Sequence, residues 1–467
     1  MIIRLLSGAG ICLLAASLAW QLSADLPGEI QRANALQGTR WYALGLHGQR
    51  LGYWHTVTQR NAEGQWVFTS EQRFALNPGD PVTLRARRVF AATAPYPLLT
   101  AHYWQDRRSW SEGTEIEKTA AGYQANLYQG RARRPSAAKR LDWSYSLAEY
   151  LSFEIWLAEA QRAPGTTHVV PTLDFERLQV VPKKLRVIER NELGYLIENP
   201  APYAASTIQL DENFTTRELK IAGLFDLTLT DAKEALAARS ALQTASYFIP
   251  IDRPLSNHTQ IAQIVLGVAG DLPMDQLWNA RRSADGEWTL TLTANPLSVA
   301  GSERLSADET LGFPSTHPQI SRLAARATQN SASDAEKVSA LIEFVHTFVT
   351  YKPGAEPKPV LALIDNPLGD CTEFADLFTT LARSLGLPSH TVFGLAYSEQ
   401  DTAFAFHAWN EVSVDGVLQA VDPTWNQTRV DATHIPLPPG ESASLQLLTG
   451  AANLQFAIKK VTYFDRN

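Results

Sequence analysis

The hydrophobic period of this chain changes once, near His317, and the change divides what the chain can fold into. Before it, apolar and aromatic residues come in short runs; after it, they recur every three to four positions. The runs 41–46, 51–58, 66–73, 84–90, 98–103 and 123–128 read as strands. Turn residues such as Gly48 and Asn61-Ala62-Glu63-Gly64 separate them. Trp41, Trp54, Trp66, Trp104 and Trp110 supply the large side chains a sheet face needs. One helix is expected over 146–161, ending before Pro164. Strands are expected again at 168–171, 176–181, 184–190, 194–198, 207–210 and 216–221. A polar, partly helical passage follows at 231–238, then strands at 261–268 and 288–292 and a linker at 295–318.

Beyond His317 the pattern is helical. Ser333-Asp334-Ala335-Glu336 has the form of a capping box. It opens a helix with Val338, Leu341, Ile342, Val345 and Phe348 on one face. A second helix starts at Gly369-Asp370-Cys371-Thr372-Glu373 and buries Phe374, Leu377, Phe378, Leu381 and Leu385; Gly386 and Pro388 stop it. Cys371 thus stands at a helix N-terminus, where unpaired N–H groups favour a thiolate. A paired histidine there can bring a cysteine pKa from about 8.5 into roughly the 3.5–7.5 range. Three strands are expected next, at 390–397, 406–414 and 417–421. A turn at Asp415-Gly416 joins the last two and returns Asp422 toward the start of the strand bearing His407. A nucleophile, a base and an orienting carboxylate then come from three separate elements.

Composition narrows the partners. A net charge of −7 disfavours nucleic acid. The basic stretch Arg131, Arg133, Arg134, Lys139 and Arg140 lacks interleaved aromatic residues and reads as a solvated loop. Of the two cysteines, Cys12 lies in a hydrophobic leader, so the body carries Cys371 alone. That leaves no disulfide framework and no cysteine-rich zinc site. No His-Glu-x-x-His spacing, phosphate-binding glycine loop or calcium loop is present, so neither a metal nor a cofactor is expected. The leader, residues 1–24, places Arg4 before an apolar run and reads as a signal peptide or an uncleaved N-terminal anchor that could tether the chain to a membrane. Either implies an exported, periplasmic body. His390 and His434 read as structural histidines, neither having an evident aspartate partner.

Gly369-Asp370-Cys371, the run His407-Ala408-Trp409-Asn410-Glu411-Val412 and the run Val421-Asp422-Pro423-Thr424-Trp425 together resemble the three motifs of the transglutaminase-like superfamily. Asp431-Ala432-Thr433-His434-Ile435 resembles a stretch common in its bacterial members. The resemblance implies an α+β fold with a papain-like core and thiol acyl chemistry on amides. Carried over, Cys371 is the nucleophile, His407 the base and then acid, and Asp422 the orienter of the imidazole. The Cys371 backbone N–H and Tyr351 are candidate oxyanion donors; Trp409, Trp425, Asp370 and Glu373 are expected to line the site. The expected organisation is a leader (1–24), a β-rich domain with one helix (40–230), a second β-rich segment (231–300), the transglutaminase-like domain (313–437) and an extension (438–467). The expected substrate is a peptide or protein amide, with hydrolysis of the thioester favoured over transfer to an amine. The alternative is a catalytically silent scaffold whose β-rich region binds an envelope protein.

Overall fold

The computed structural model describes residues 27–46, 49–75, 81–107, 110–129, 134–135, 138–200, 206–221, 225–237, 248–270, 279–283, 285–295, 297, 305–437 and 454–464. The leader with Cys12, the turn at Gly48 and Arg131 and Arg133 of the basic stretch lie outside them. The chain divides into two compact units, Met1–Leu242 and Gln243–Asn467.

The N-terminal unit is one large antiparallel sheet made of two meanders. Gly38–Leu46, Gln49–Arg60, Trp66–Phe74, Val82–Phe90, Leu98–Asp106, Ser111–Thr119 and Gly122–Gln129 form the first. Thr167–Asp174, Gln179–Asn191, Gly194–Asn199, Ser206–Leu210, Thr216–Ile221 and Phe225–Thr230 form the second. They join where Gly38–Leu46 pairs with Phe225–Thr230, Leu44 facing Leu227. The segment expected as one helix is two, Leu147–Tyr150 and Ser152–Glu159, the first opened by a capping box at Ser146. Tyr42, Trp66, Phe74, Phe90, Phe153 and Phe225 are fully buried. Trp54 on its strand and Trp110 just before one are buried as well, while Trp41 and Trp104 are half-buried, so the sheet-face reading holds in part.

In the C-terminal unit we number the elements from its first strand. These are β1 (Phe248–Pro250), β2 (Ile261–Ala269), β3 (Ala280–Arg282), β4 (Trp288–Thr293), α1 (Pro318–Ala327), α2 (Asp334–Phe348), β5 (Thr350–Tyr351), α3 (Val360–Asp365), β6 (Leu368–Gly369), α4 (Cys371–Ser384), β7 (Ser389–Ser398), β8 (Ala403–Val414), β9 (Val417–Val421), β10 (His434–Pro436) and β11 (Gln455–Tyr463). One sheet runs β1-β8-β7-β10, with β9 also on β8. A second runs β3-β4-β2-β11, so the last described strand pairs with β2.

α4 is amphipathic for a visible reason. Leu377, Phe378 and Leu381 fall at helical spacing and are fully buried with Val345 of α2 and Val412 of β8. Each such side chain stabilises the fold by about 1.5–3 kcal/mol. Asp370 caps the helix, accepting the Thr372 N–H at 3.0 Å, while Glu373 reaches back to the Asp370 N–H at 2.8 Å. Gly386, at φ +78°, ends it. The α2 capping box at Ser333 also forms. The β8–β9 hairpin takes the expected turn: Asp415 and Gly416 have φ of +52° and +79°, and Val414 faces Val417.

Candidate functional site

One sheet edge brings the three motifs together. β7 pairs with β8 along residues 403–412, so β1 and β9 share the opposite edge of β8. β1 takes positions 403–405 and β9 begins at Asn410. The stretch 406–409, which carries His407, lies between them. The N-terminus of α4 fills that place: the backbone N–H of Ala408 donates to the Cys371 sulfur. Cys371 is half-buried.

His407 projects from β8 and is buried. Its Nε2 lies 2.7 Å from Oδ2 of Asp422, which is fully buried just past β9. The turn after Asp422 holds its other oxygen: the N–H groups of Thr424 and Trp425 donate to Oδ1 at 2.8 and 3.3 Å. The Trp425 ring stacks on the His407 ring at 4.1 Å with planes 12° apart, and is itself partly exposed. Trp409 is fully buried, 6.2 Å from the His407 ring.

The electrostatics differ from the expectation of a lowered thiol. Burial pushes the Cys371 thiol up; Asp370, Glu373 and Asp422 push it further, while the Ala408 N–H opposes them. A helix N-terminus whose capping carboxylates stand beside the sulfur offers less help than the bare dipole. Burial also raises Glu373 well above the usual carboxylate range, with Asp370 adding to it. For Asp422, burial works upward, but the imidazoles of His407 and His434 hold the carboxyl below its ordinary range.

Asp370 and Glu373, expected to line the site, form the α4 capping box beside the thiol. Tyr351 sits on β5, paired with Gly369 of β6, exposed and edge-on to Phe374 at 6.3 Å. Its hydroxyl is raised by partial burial and then by the charges of Cys371 and Asp370. The reading that neither His390 nor His434 has an aspartate partner holds for His390, which meets a glutamate, and needs correction for His434. His390 Nε2 lies 3.2 Å from Oε2 of Glu411. His434 lies 3.5 Å from Asp422 and 3.4 Å from Asp431. The local signal for the second pair was the Asp-x-x-His spacing; the first depended on the β7–β8 register, which pairs His390 with Glu411.

His407, Asp422 and His434 offer three donor atoms within 4.8 Å of one another. Two donors on a tetrahedral zinc at about 2.0–2.1 Å would stand roughly 3.3 Å apart. The 2.7 Å between His407 and Asp422 is a hydrogen bond instead.

A helix-borne cysteine packed on an antiparallel sheet that carries a histidine–aspartate pair makes the core of an α+β domain. Residues 321–423 match the family model described as the Transglutaminase-like superfamily, and the C-terminal unit therefore carries a transglutaminase-like domain. Among solved structures, the chain is similar to a TGase at 20% identity and TM-score 0.20, over 22% of this chain and 30% of that one. It is similar to a provisionally assigned cysteine protease from Cytophaga hutchinsonii at 15% identity and TM-score 0.27, over 47% of this chain and 86% of that one. It is also similar to a β-barrel-like protein, of a domain of unknown function, from Brucella abortus at 10% identity and TM-score 0.30, over 42% and 97%. No curated protein matches the chain.

Proposed function

We propose that the C-terminal unit is a thiol acyl-transfer enzyme acting on peptide or side-chain amides. The observation that carries the reading is the placing of Cys371 on Ala408, one residue from a histidine hydrogen-bonded to a buried aspartate. The family match over 321–423 supports it.

In this mechanism His407, with Nε2–H donated to Asp422, uses its other ring nitrogen to take the Cys371 proton. The raised thiol makes that transfer necessary, since little thiolate forms without a base. The sulfur attacks the amide carbon, and the developing oxyanion is met by the Cys371 N–H, with Tyr351 the second candidate donor. His407 returns the proton to the leaving amine, which departs and leaves a thioester. His407 then deprotonates water, which attacks the thioester and frees the acid and the thiol. An amine in place of water gives transfer; hydrolysis is the preferred reading because water needs no acceptor site. Asp370 and Glu373 support the cysteine by capping its helix, and Trp409 and Trp425 wall the imidazole.

The substrate is proposed to be an envelope peptide or protein, with the N-terminal unit as the surface for an envelope partner and residues 1–24 as the export signal or membrane tether. Among the described residues no helix is long and apolar enough to cross a membrane.

The test is Cys371 alkylation by iodoacetamide in wild type and His407→Gln, paired with mass spectrometry of protein incubated with a glutamine peptide and a primary amine. Alkylation slowed by about tenfold or more in His407→Gln, together with an acyl adduct on Cys371, is expected. Equal alkylation in the two proteins with no adduct sinks the enzyme reading. Amine incorporation in place of deamidation or cleavage would move the reaction from hydrolysis to transfer.

A further inference from the structure

Asp422 meets two imidazoles, not one. Its Oδ2 lies 2.7 Å from Nε2 of His407 and 3.5 Å from Nε2 of His434. The opposite nitrogen of His434, Nδ1, lies 3.4 Å from Oδ1 of Asp431. That oxygen also accepts from the Thr433 N–H at 2.8 Å and the Thr433 hydroxyl at 2.6 Å. Asp422, His434 and Asp431 are all buried.

A neutral imidazole has one N–H and one lone pair, and a carboxylate only accepts. Either neutral tautomer of His434 therefore turns a lone pair toward one of its two aspartates. Only the cation donates on both sides. Two carboxylates taken out of water also need a compensating charge close by.

We propose that His434 is a positioning residue: an imidazolium clamped between Asp431 and Asp422 that fixes the Asp422 carboxylate and offsets its charge toward His407. The effect on catalysis rests on the proposed Cys371 chemistry; the charge state of His434 does not. Burial by itself lowers the proton affinity of this ring, but Asp422 and Asp431 outweigh it and raise the pKa to about 9.

The consequence falls on His407. An aspartate already bonded to one cation attracts a second less strongly, so His407 binds its proton less tightly than with an unshared partner. That keeps its cation a stronger acid for the leaving amine. The groups facing His434 are Asp422 from the end of β9, Asp431 from the approach to β10, His407 of β8 with ring centres 5.7 Å apart, and the Trp409 and Trp425 rings. His407 is faced by Asp422, His434 and Trp425, with Cys371 of α4 at the adjoining Ala408.

The experiment is a titration of imidazole nitrogen shifts in the ¹⁵N-labelled full chain between pH 5 and 10, in wild type and His434→Gln. Loss of single signals in His407→Gln and His434→Gln assigns the two rings. Expected are an imidazolium at His434 at pH 7.5 and, in His434→Gln, a His407 inflection raised by about half a unit or more, roughly a threefold gain in proton affinity. A neutral His434 at pH 7.5, or a His407 inflection that stays or falls, overturns the proposal. So does a His434 signal that changes on adding EDTA, which would assign the ring to a bound ion. If His434→Gln fails to fold, the wild-type titration decides by itself. An unreactive Cys371 would defeat the catalytic reading and leave these signals unaltered, so the two failures are distinguishable.

Discussion

Each oxygen of Asp422 has a separate task, and substitutions should separate them. Oδ1 holds the turn through two backbone N–H groups, while Oδ2 faces the imidazoles. Asp422→Asn keeps an oxygen for the turn and can present an N–H₂ to a ring nitrogen that is itself a donor. The imidazole then turns or changes tautomer. If the proposed mechanism holds, kcat should fall about 10³–10⁴-fold, with the fold retained by circular dichroism and Cys371 alkylation slowed in parallel. A loss of less than tenfold would show that His407 needs no orienting partner. Much of this residue-scale picture was legible beforehand. Helix-start cysteine, strand histidine and post-hairpin aspartate are local patterns, and the hairpin forms where Asp415-Gly416 sets it. The part played by His434 was not legible in full. It depends on β10 pairing with β7, His434 opposite Ala396, a contact that no local period encodes. The thiol environment was also misjudged, because a sequence shows the helix dipole but not the burial beside it.

At the scale of elements, the close approach that carries the site runs through Gly394 of β7, opposite His407 in the β7–β8 register. A Cβ built there would lie 2.2 Å from the Ile435 carbonyl oxygen and 2.3 Å from the Trp409 ring. The first of these is backbone and cannot rotate away. Gly394→Ala should therefore push β10 off β7 or displace Trp409 from beneath His407. A destabilisation of about 1–3 kcal/mol, read from denaturant unfolding, is expected, with a loss of the proposed activity larger than the loss of folded protein. Wild-type stability would show that the three strands can separate at no cost. Which elements the sequence reveals follows from the same physics. Strands with clear aromatic or branched runs, such as Trp66–Phe74, were readable. Ser111–Thr119 was not, because its glutamates and threonines lack an apolar run although Thr114 and Ile116 are buried. The expected pair at 176–181 and 184–190 is a single strand, Gln179–Asn191, because Pro182 continues it. Phe225–Thr230, Val360–Asp365 and Gln455–Tyr463 were also missed. The first and last of these are fixed by partners far along the chain, Gly38–Leu46 and Ile261–Ala269.

At the scale of the whole molecule, each unit buries a carboxyl whose desolvation outweighs the groups that favour its charge. In the N-terminal unit this is Glu154, fully buried and raised by desolvation to about 7, with Arg32 only partly opposing. In the C-terminal unit it is Glu373. A carboxyl raised in the folded state stays neutral there while the unfolded chain ionises. Its contribution is thus complete below the unfolded value of about 4.5 and is lost as pH rises to 7. For Glu154 that loss is roughly 3 kcal/mol. Asp422 and Asp431 have the opposite sign: held below the usual range, they stabilise above about pH 4 and fail in acid. His55 and His168, lowered mainly by burial though partly exposed, favour higher pH in the N-terminal unit, so the decisive quantity is a difference between variants. Glu154→Gln should flatten the decline between pH 4.5 and 7 in residues 1–242 and leave residues 243–467 with the wild-type profile. Hydrogen exchange resolved by peptide across that range measures both units in one sample. Equal slopes in Glu154→Gln and wild type would mean that the Glu154 carboxylate finds a compensating charge when it ionises. Arg32 is then the residue to replace next, because its guanidinium is buried within Coulombic reach of Glu154 and loses proton affinity chiefly by desolvation.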